Sequence, residues 1–345
     1  MWHVNMGRTR NPFLCRREFN RLCATASLSL SSSCAAIMAE LPWGLQGADA
    51  TSSKRTVKFR NGTRVPAIGQ GSWHLAQGRH PGATEEEALR TGVSLGMTVI
   101  DTAEAYGSGR AEKLIGRVVA GQRDKVFLVS KVLPSHSAGD GIARSCDESL
   151  ARLGVDYLDL YLLHWRERDT DLAHVVAEFE ALREREKIRA WGVSNFTISD
   201  MEDLFRVPGG DGCATNQVRY NLSTRAIEYD LLPWSQQHGI PVMAYSPLGI
   251  GSLVRDPTLE RIGAADHCAG TAVALAWAVR DGNVIAIPES GSPAHVTQNA
   301  AALSLTLMPE DLQLLDTAHP VRWTDLLRFL YHDATRWLHR VEDSF

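Results

Sequence analysis

Eight short apolar runs, each followed by a polar or helix-patterned stretch, constrain this chain more than any other feature. The candidate strands are residues 67–73, 99–101, 126–131, 157–165, 188–195, 214–218, 241–246 and 283–288. Helical spacing of apolar residues predicts helices over 84–95, 111–116, 141–153 and 173–185, and another from 271. Runs that are apolar throughout, rather than alternating, suit strands buried on both faces, which is the position of a strand in a helix-covered parallel sheet. Eight such units predict an α/β protein with a closed (β/α)8 TIM barrel. A doubly wound open sheet would call for a Gly-x-Gly-x-x-Gly turn early in the chain, and none stands there.

Local signals add detail. Residues 56–66 read as an N-terminal β-hairpin around Asn61-Gly62, a dipeptide suited to positive φ at both turn positions. Thr84 followed by Glu87 reads as a capping box opening the first helix.

At 345 residues the chain can hold such a barrel with extensions at both ends. The division expected is a leader over 1–50, the barrel over 51–320 and a C-terminal helical extension over 321–345. In the leader, Arg16-Arg17 is followed by Phe19 and Leu22, a mildly apolar stretch over 23–41, and the small residues Ala48 and Ala50. This arrangement resembles a twin-arginine export signal with a cleavage site. It implies the export machinery as a partner and a periplasmic or otherwise exported location; the alternative is a basic leader on a cytoplasmic protein. In the tail, Trp323, Leu326, Leu327 and Leu330 have amphipathic helical spacing.

A net charge of -4 leaves no basic footprint for nucleic acid. Beyond the leader no apolar run is long enough to span a bilayer as a helix. The six cysteines form no Cys-x-x-Cys pair and have no metal-ligand spacing; Cys146, Cys213 and Cys268 read as free thiols.

Barrel active sites lie at the C-terminal ends of the strands. There the sequence places Asp101, then Tyr106 on the following loop, then Lys131 and His164, with Trp73 and Trp165 at two further strand ends. Gly192-Val193-Ser194-Asn195-Phe196, Asn216-Gln217, Tyr245-Ser246-Pro247-Leu248-Gly249 and Ile287-Pro288 complete the pattern. Together these segments resemble the aldo-keto reductase family over roughly residues 57–315.

The resemblance implies interconversion of a carbonyl (aldehyde or ketone) and an alcohol, with NAD(H) or NADP(H) as cofactor and a small-molecule substrate. By the same resemblance Tyr106 is the proton donor, Lys131 lowers its pKa, Asp101 holds Lys131, and His164 orients the substrate oxygen. The chemistry suits these residue types. A free phenol titrates near pH 10, and an adjacent ammonium favours the phenolate. Trp73 and Trp165 would wall the substrate pocket, and no metal is required. Ser194, Asn195 and Gln217 match positions that bond the nicotinamide carboxamide. Tyr245 matches the aromatic that stacks on its ring, and Ser246 and Leu248 lie on the loop around the pyrophosphate.

The segment after the last strand departs from the family pattern. NADPH-using relatives carry Lys where Glu289 stands and Arg where His295 stands, and those cations hold the 2′-phosphate. A carboxylate repels phosphate but accepts from a free ribose hydroxyl. NAD(H) is therefore the expected preference, with Glu289 on the ribose, Ser290 and His295 nearby, and Asn299 toward the adenine. A nicotinamide-binding sensor on the same barrel is the alternative to an enzyme. The complete Asp101, Tyr106, Lys131 and His164 set argues against it, because a sensor has no use for a proton donor.

Overall fold

In the computed structural model, residues 54–321 are described. The expected leader over 1–50 and nearly all of the expected C-terminal extension lie outside them. The described residues open with β1 (Thr56–Lys58) and β2 (Arg64–Pro66), paired antiparallel. Their turn differs from the expectation: Gly62 has φ 90°, whereas Asn61 is not among the residues of positive φ. The amide of Gly62 donates to the carbonyl of Phe59, and that of Phe59 donates to the carbonyl of Thr63. The turn residues are thus Arg60 and Asn61, and Gly62 takes the left-handed position of a bulge, so one positive φ suffices.

Eight parallel strands follow: β3 (Gln70–Gly71), β4 (Val99–Asp101), β5 (Phe127–Val132), β6 (Leu160–Leu163), β7 (Trp191–Ser194), β8 (Asn216–Arg219), β9 (Val242–Tyr245) and β10 (Val284–Ile287). Each pairs with the next in sequence order. Parallel bridges Ile68↔Ala286 and Gly71↔Glu289 join first to last and close the barrel, as expected. Six of the eight are shorter than their apolar runs, while β4 and β5 keep the expected length. Side chains help hold the entry to β6. Tyr157 lies between the guanidinium groups of Arg123 and Arg189, each 4.0 Å from its ring. The Asp159 carboxylate accepts from the amide of Leu128 and from Arg123. These side chains reinforce the backbone bonds from Leu158 to Lys187 and from Asp159 to Leu128 at this entry.

The principal outer helices are α1 (Gly82–Leu95), α2 (Arg110–Val119), α3 (Gly141–Leu153), α4 (Leu172–Glu184), α5 (Ile198–Arg206), α6 (Leu231–Gln237), α7 (Pro257–Ala265), α8 (Gly270–Ala278), α9 (Pro293–Ala300) and α10 (Pro309–Ala318). The expected capping box at Thr84 does not form. Pro81 is the N-cap, which puts Thr84 inside the first turn, and no side chain caps the helix. A capping box does form at Thr197 and Asp200 of α5. Cys146 and Cys213 are buried free thiols and Cys268 is a partly exposed one.

The hairpin lies at the N-terminal mouth. Phe59 stacks on Phe127 at the start of β5, with ring centroids 5.5 Å apart. Arg60 donates to the carbonyl of Asp211, shortly before β8. The opposite mouth, at the strand C-termini, carries the functional side chains.

Candidate active site

Period-two alternation along a strand decides which side chains enter the barrel. On β5, Ser130 turns toward the helices, where its hydroxyl donates to Glu112 of α2 at 2.7 Å. The next residue, Lys131, points inward and is fully buried. Its ammonium has three hydrogens and three acceptors: the Asp101 carboxylate at 2.7 Å, the carbonyl of Thr102 at 2.8 Å and the phenol oxygen of Tyr106 at 3.1 Å. With every donor satisfied, its orientation is locked. Asp101 also accepts from Nε2 of Gln217 at 2.7 Å, a bond from β4 to β8 through the barrel interior.

Tyr106 reaches this cluster because the chain turns after β4, with its amide donating to the carbonyl of Ala103. Its oxygen accepts from Lys131, so its own proton is left for the cavity. Burial raises the Tyr106 pKa above 10.0, and the opposing pull of Lys131 is smaller. Lys131 lowers the Tyr106 pKa as expected, through its charge and its hydrogen bond, but desolvation of a phenolate outweighs it and the net shift is upward. Burial opposes protonation of Lys131, but Asp101 and Tyr106 outweigh that effect and raise its pKa, so it remains an ammonium. Burial raises the pKa of Asp101, countered by Lys131 and Gln217.

His164 follows β6, its ring 5.7 Å from that of Tyr106 in an edge-on arrangement. Burial and then the charge of Lys131 lower its pKa to about 3, so it is neutral at physiological pH. Its buried Nδ1 has no hydrogen-bond partner among the described residues. A neutral imidazole can donate a hydrogen bond without bringing a positive charge.

Asp101, Tyr106 and His164 line a cavity of about 600 Å³, together with Trp73, Trp165, Ser194, Asn195, Gln217, Tyr245, Ser246 and Leu248, while Lys131 lies beneath its wall. That size is within the range of small-molecule sites. Ser194 donates to the carbonyl of Gln217, and Asn195 donates to the carbonyl of His164 and accepts from the Tyr245 hydroxyl at 2.9 Å. Three non-glycine residues on the wall have positive φ: Asn195 (60°), Ser246 (49°) and Ile250 (57°). Such strain, most costly at a β-branched residue, clusters where backbone is shaped for a ligand. The strained wall and the unpartnered His164 nitrogen fit a nicotinamide and a carbonyl substrate.

The rim differs from expectation. Glu289 lines the cavity, but its carboxylate accepts from the amide of His74 at 2.8 Å and lies 3.1 Å from Nδ1 of His74. It is engaged with the first strand-end loop rather than left free for a ribose. Ser290, His295 and Asn299 do not line the cavity. The Ser290 hydroxyl exchanges bonds with the backbone of Ser292, His295 is exposed and Asn299 is buried in α9.

Sequence reasoning missed three further groups. His74 and Arg79 line the cavity from the loop after β3. Glu104, inside the stretch that carries Asp101 and Tyr106, accepts from the amide of Leu133 at 2.7 Å and contacts Nδ1 of His136 at 3.0 Å. It ties the Tyr106 loop to the end of β5. A carboxylate between an Asp and a Tyr of the pattern was the available signal for Glu104; the spacing offered none for Arg79.

The aldo/keto reductase family model matches residues 67–319. The methylglyoxal reductase YeaE of Escherichia coli (strain K12) is 46% identical over 272 residues, covering 77% of this chain and 95% of the relative. An aldo/keto reductase from Klebsiella pneumoniae, solved with NADP and acetate, has a TM-score of 0.75 and 46% identity, covering 78% of this chain and 96% of its own. A structure of a Klebsiella pneumoniae aldo-keto reductase in complex with NADPH aligns equally well.

Proposed function

The chain belongs to the aldo/keto reductase family, and on that premise we propose how its own residues carry out the reaction and on what. It is an NAD(P)(H)-dependent oxidoreductase that interconverts a carbonyl and an alcohol. Hydride transfer would be the chemistry that a nicotinamide supplies when bound. The chain's part is the proton and the orientation. The neutral imidazole of His164 and the phenol of Tyr106 converge on the place of the carbonyl oxygen. As negative charge develops on that oxygen, both donate to it, and the Tyr106 proton transfers. Lys131, 3.1 Å from the phenol oxygen, stabilises the phenolate left behind, and Asp101 holds Lys131 in place. Solvent then reprotonates Tyr106. The observation that carries this reading is the Lys131 ammonium saturated by Asp101, Thr102 and Tyr106, with the phenol proton unused.

The substrate class is a small, reactive oxoaldehyde such as methylglyoxal, supported by the activity in the name of the 46%-identical relative. The expected NAD(H) preference rested on Glu289 meeting a ribose hydroxyl. With that carboxylate on His74 and relatives bound to NADP and NADPH, NADP(H) is the better-supported cofactor. Ser194, Asn195 and Gln217 would hold the carboxamide, with Tyr245 against the ring. The test is methylglyoxal reduction by the full-length chain with NADPH and with NADH. A higher kcat/KM with NADPH supports the reading; faster turnover with NADH returns the preference to NAD(H), and turnover with neither sinks the substrate assignment.

Residues 1–50 are proposed to direct export of the folded, cofactor-loaded enzyme, on the strength of Arg16-Arg17 with Phe19 and Leu22. Fractionation of cells expressing the chain and its Arg16→Lys, Arg17→Lys variant tests this: export of the parent and retention of the variant are expected, and retention of both overturns it.

A further inference from the structure

We propose that Arg79, on the loop between β3 and α1, is the cation that holds a phosphate of the dinucleotide in this protein. The inference rests on the reductase reading above and extends it to a residue outside the family pattern.

The first observation is a deficit. No lysine or arginine occurs between Arg280 and Arg322, a span that contains β10, α9 and the entire loop between them. Two substitutions noted above, Glu289 and His295, belong to this span. A phosphate meeting this wall finds hydroxyls and backbone amides but no permanent positive charge. Its charge must be balanced from elsewhere, since burial of an uncompensated anion is costly.

The second observation is a surplus. The charged side chains on the cavity wall are Arg79, Asp101 and Glu289. Asp101 is paired with Lys131, and Glu289 is engaged by His74. Arg79 has no hydrogen-bond or ion-pair partner among the described residues and is exposed at the rim. A guanidinium suits the fork geometry of a phosphate better than any other side chain.

The third observation puts surplus beside deficit. The ring of His80, next to Arg79, packs on Gly291: a Cβ there would lie 2.5 Å from His80 Cδ2. The His74–Glu289 contact joins the same two loops one strand-end away. The loop is also fixed in advance. The amide of Ala76 donates to Glu85 at 2.8 Å, its carbonyl accepts from Arg110 at 3.1 Å, and Gln77 donates to the carbonyl of Trp73. Glu85 is fully buried, so this anchor is not a surface accident. The Glu289 carboxylate is hydrogen-bonded by the His74 amide and lies against the His74 ring, and it is not paired with Arg79. The cation that relatives carry after the last strand is thus supplied here from the opposite side of the barrel seam.

Arg255 is an arginine on the other flank, directly after the wall residue Val254; it does not itself line the cavity. The experiment titrates the full-length chain and its Arg79→Ala and Arg255→Ala variants with NADPH and with NADH, following tryptophan fluorescence, and measures KM for methylglyoxal. The expected result is a Kd for NADPH raised about tenfold or more in Arg79→Ala and little changed in Arg255→Ala. A loss confined to NADPH assigns Arg79 to the 2′-phosphate, and an equal loss with NADH assigns it to the pyrophosphate; both support the proposal. Parent-like binding of both nucleotides by Arg79→Ala overturns it. So does an effect on the carbonyl KM alone, or a loss in Arg255→Ala instead. Those outcomes leave the reductase reading intact, whereas a parent chain that binds neither nucleotide removes both.

Discussion

The floor of the cavity and its rim were built by different rules. On the floor, Asp101 and Lys131 project from adjacent strands, and the β ladder sets their separation. The ammonium has no unused hydrogen, and burial with paired charges fixes the protonation of each group. On the rim, His74, Arg79, Ile250 and Glu289 stand on loops, and their partners depend on which loops meet. A carboxylate that resembles a ribose acceptor in sequence becomes a backbone clamp when another loop offers it an amide. Residues on a ladder inherit their geometry, whereas residues on loops acquire theirs from contacts remote in the chain.

If that contrast is right, the largest effect belongs to the floor. Tyr106→Phe keeps the ring and removes the proton. It is expected to lower kcat for carbonyl reduction by about 10³-fold, within the range of general acid catalysis, with the Kd for NADPH unchanged. A kcat within a few-fold of the parent would mean that another group donates the proton. Lys131→Met comes next. It should lower kcat by roughly 10²-fold and, by leaving Asp101 buried without its counter-charge, lower unfolding stability by about 3–5 kcal/mol. Denaturant unfolding measures the second quantity; unaltered stability would contradict the ion pair.

A smaller effect is expected at the rim. Glu289→Lys places a cation on the wall that lacks one and should tighten NADPH relative to NADH by up to about tenfold, the scale of one surface or partly buried charge contact. An unchanged NADPH-to-NADH ratio in paired titrations would place the phosphate away from this wall, and a change made by weakening NADH rather than by tightening NADPH would restore Glu289 as a ribose acceptor.

A separate effect is the pH dependence of stability carried by His164. Its pKa in the folded protein is lowered to about 3, against 6.5 for the free side chain. Between those values the unfolded chain binds a proton that the folded chain refuses. Stability therefore rises with pH in that window and is lost as pH falls from about 6.5 toward 3. His164→Gln should show a shallower fall of Tm between pH 7 and pH 4 than the parent; equal slopes would place a charged imidazole in the site.

Much of the barrel could be read in the chain because both of its signals are local. The apolar runs mark strands buried on two faces, and the α3 span of Gly141–Leu153 coincides with its expected limits. Asp101, Tyr106, Lys131 and His164 could be read because each stands at a strand end or on the loop after one. The turn at Gly62 and the cap of α1 were less legible, since a hairpin bulge and a proline N-cap can replace the simpler arrangements that the same residues allow. The Tyr106 pKa depended on a balance between burial and charge, and burial has no signature in local spacing.

By itself, then, the sequence determined the number and order of strands and the residue types available at the catalytic mouth, because apolar periodicity and strand-end placement are properties of a few neighbouring residues. Only the tertiary structure decided that Gln217 would hold Asp101 across 116 residues, that His74 would take the Glu289 carboxylate across 215, and that Arg79 would stand on the cavity wall as a cation without a partner among the described residues. Hydrogen bonds and ion pairs act over a few ångströms, and which distant residues come within that reach is settled by closure of the barrel.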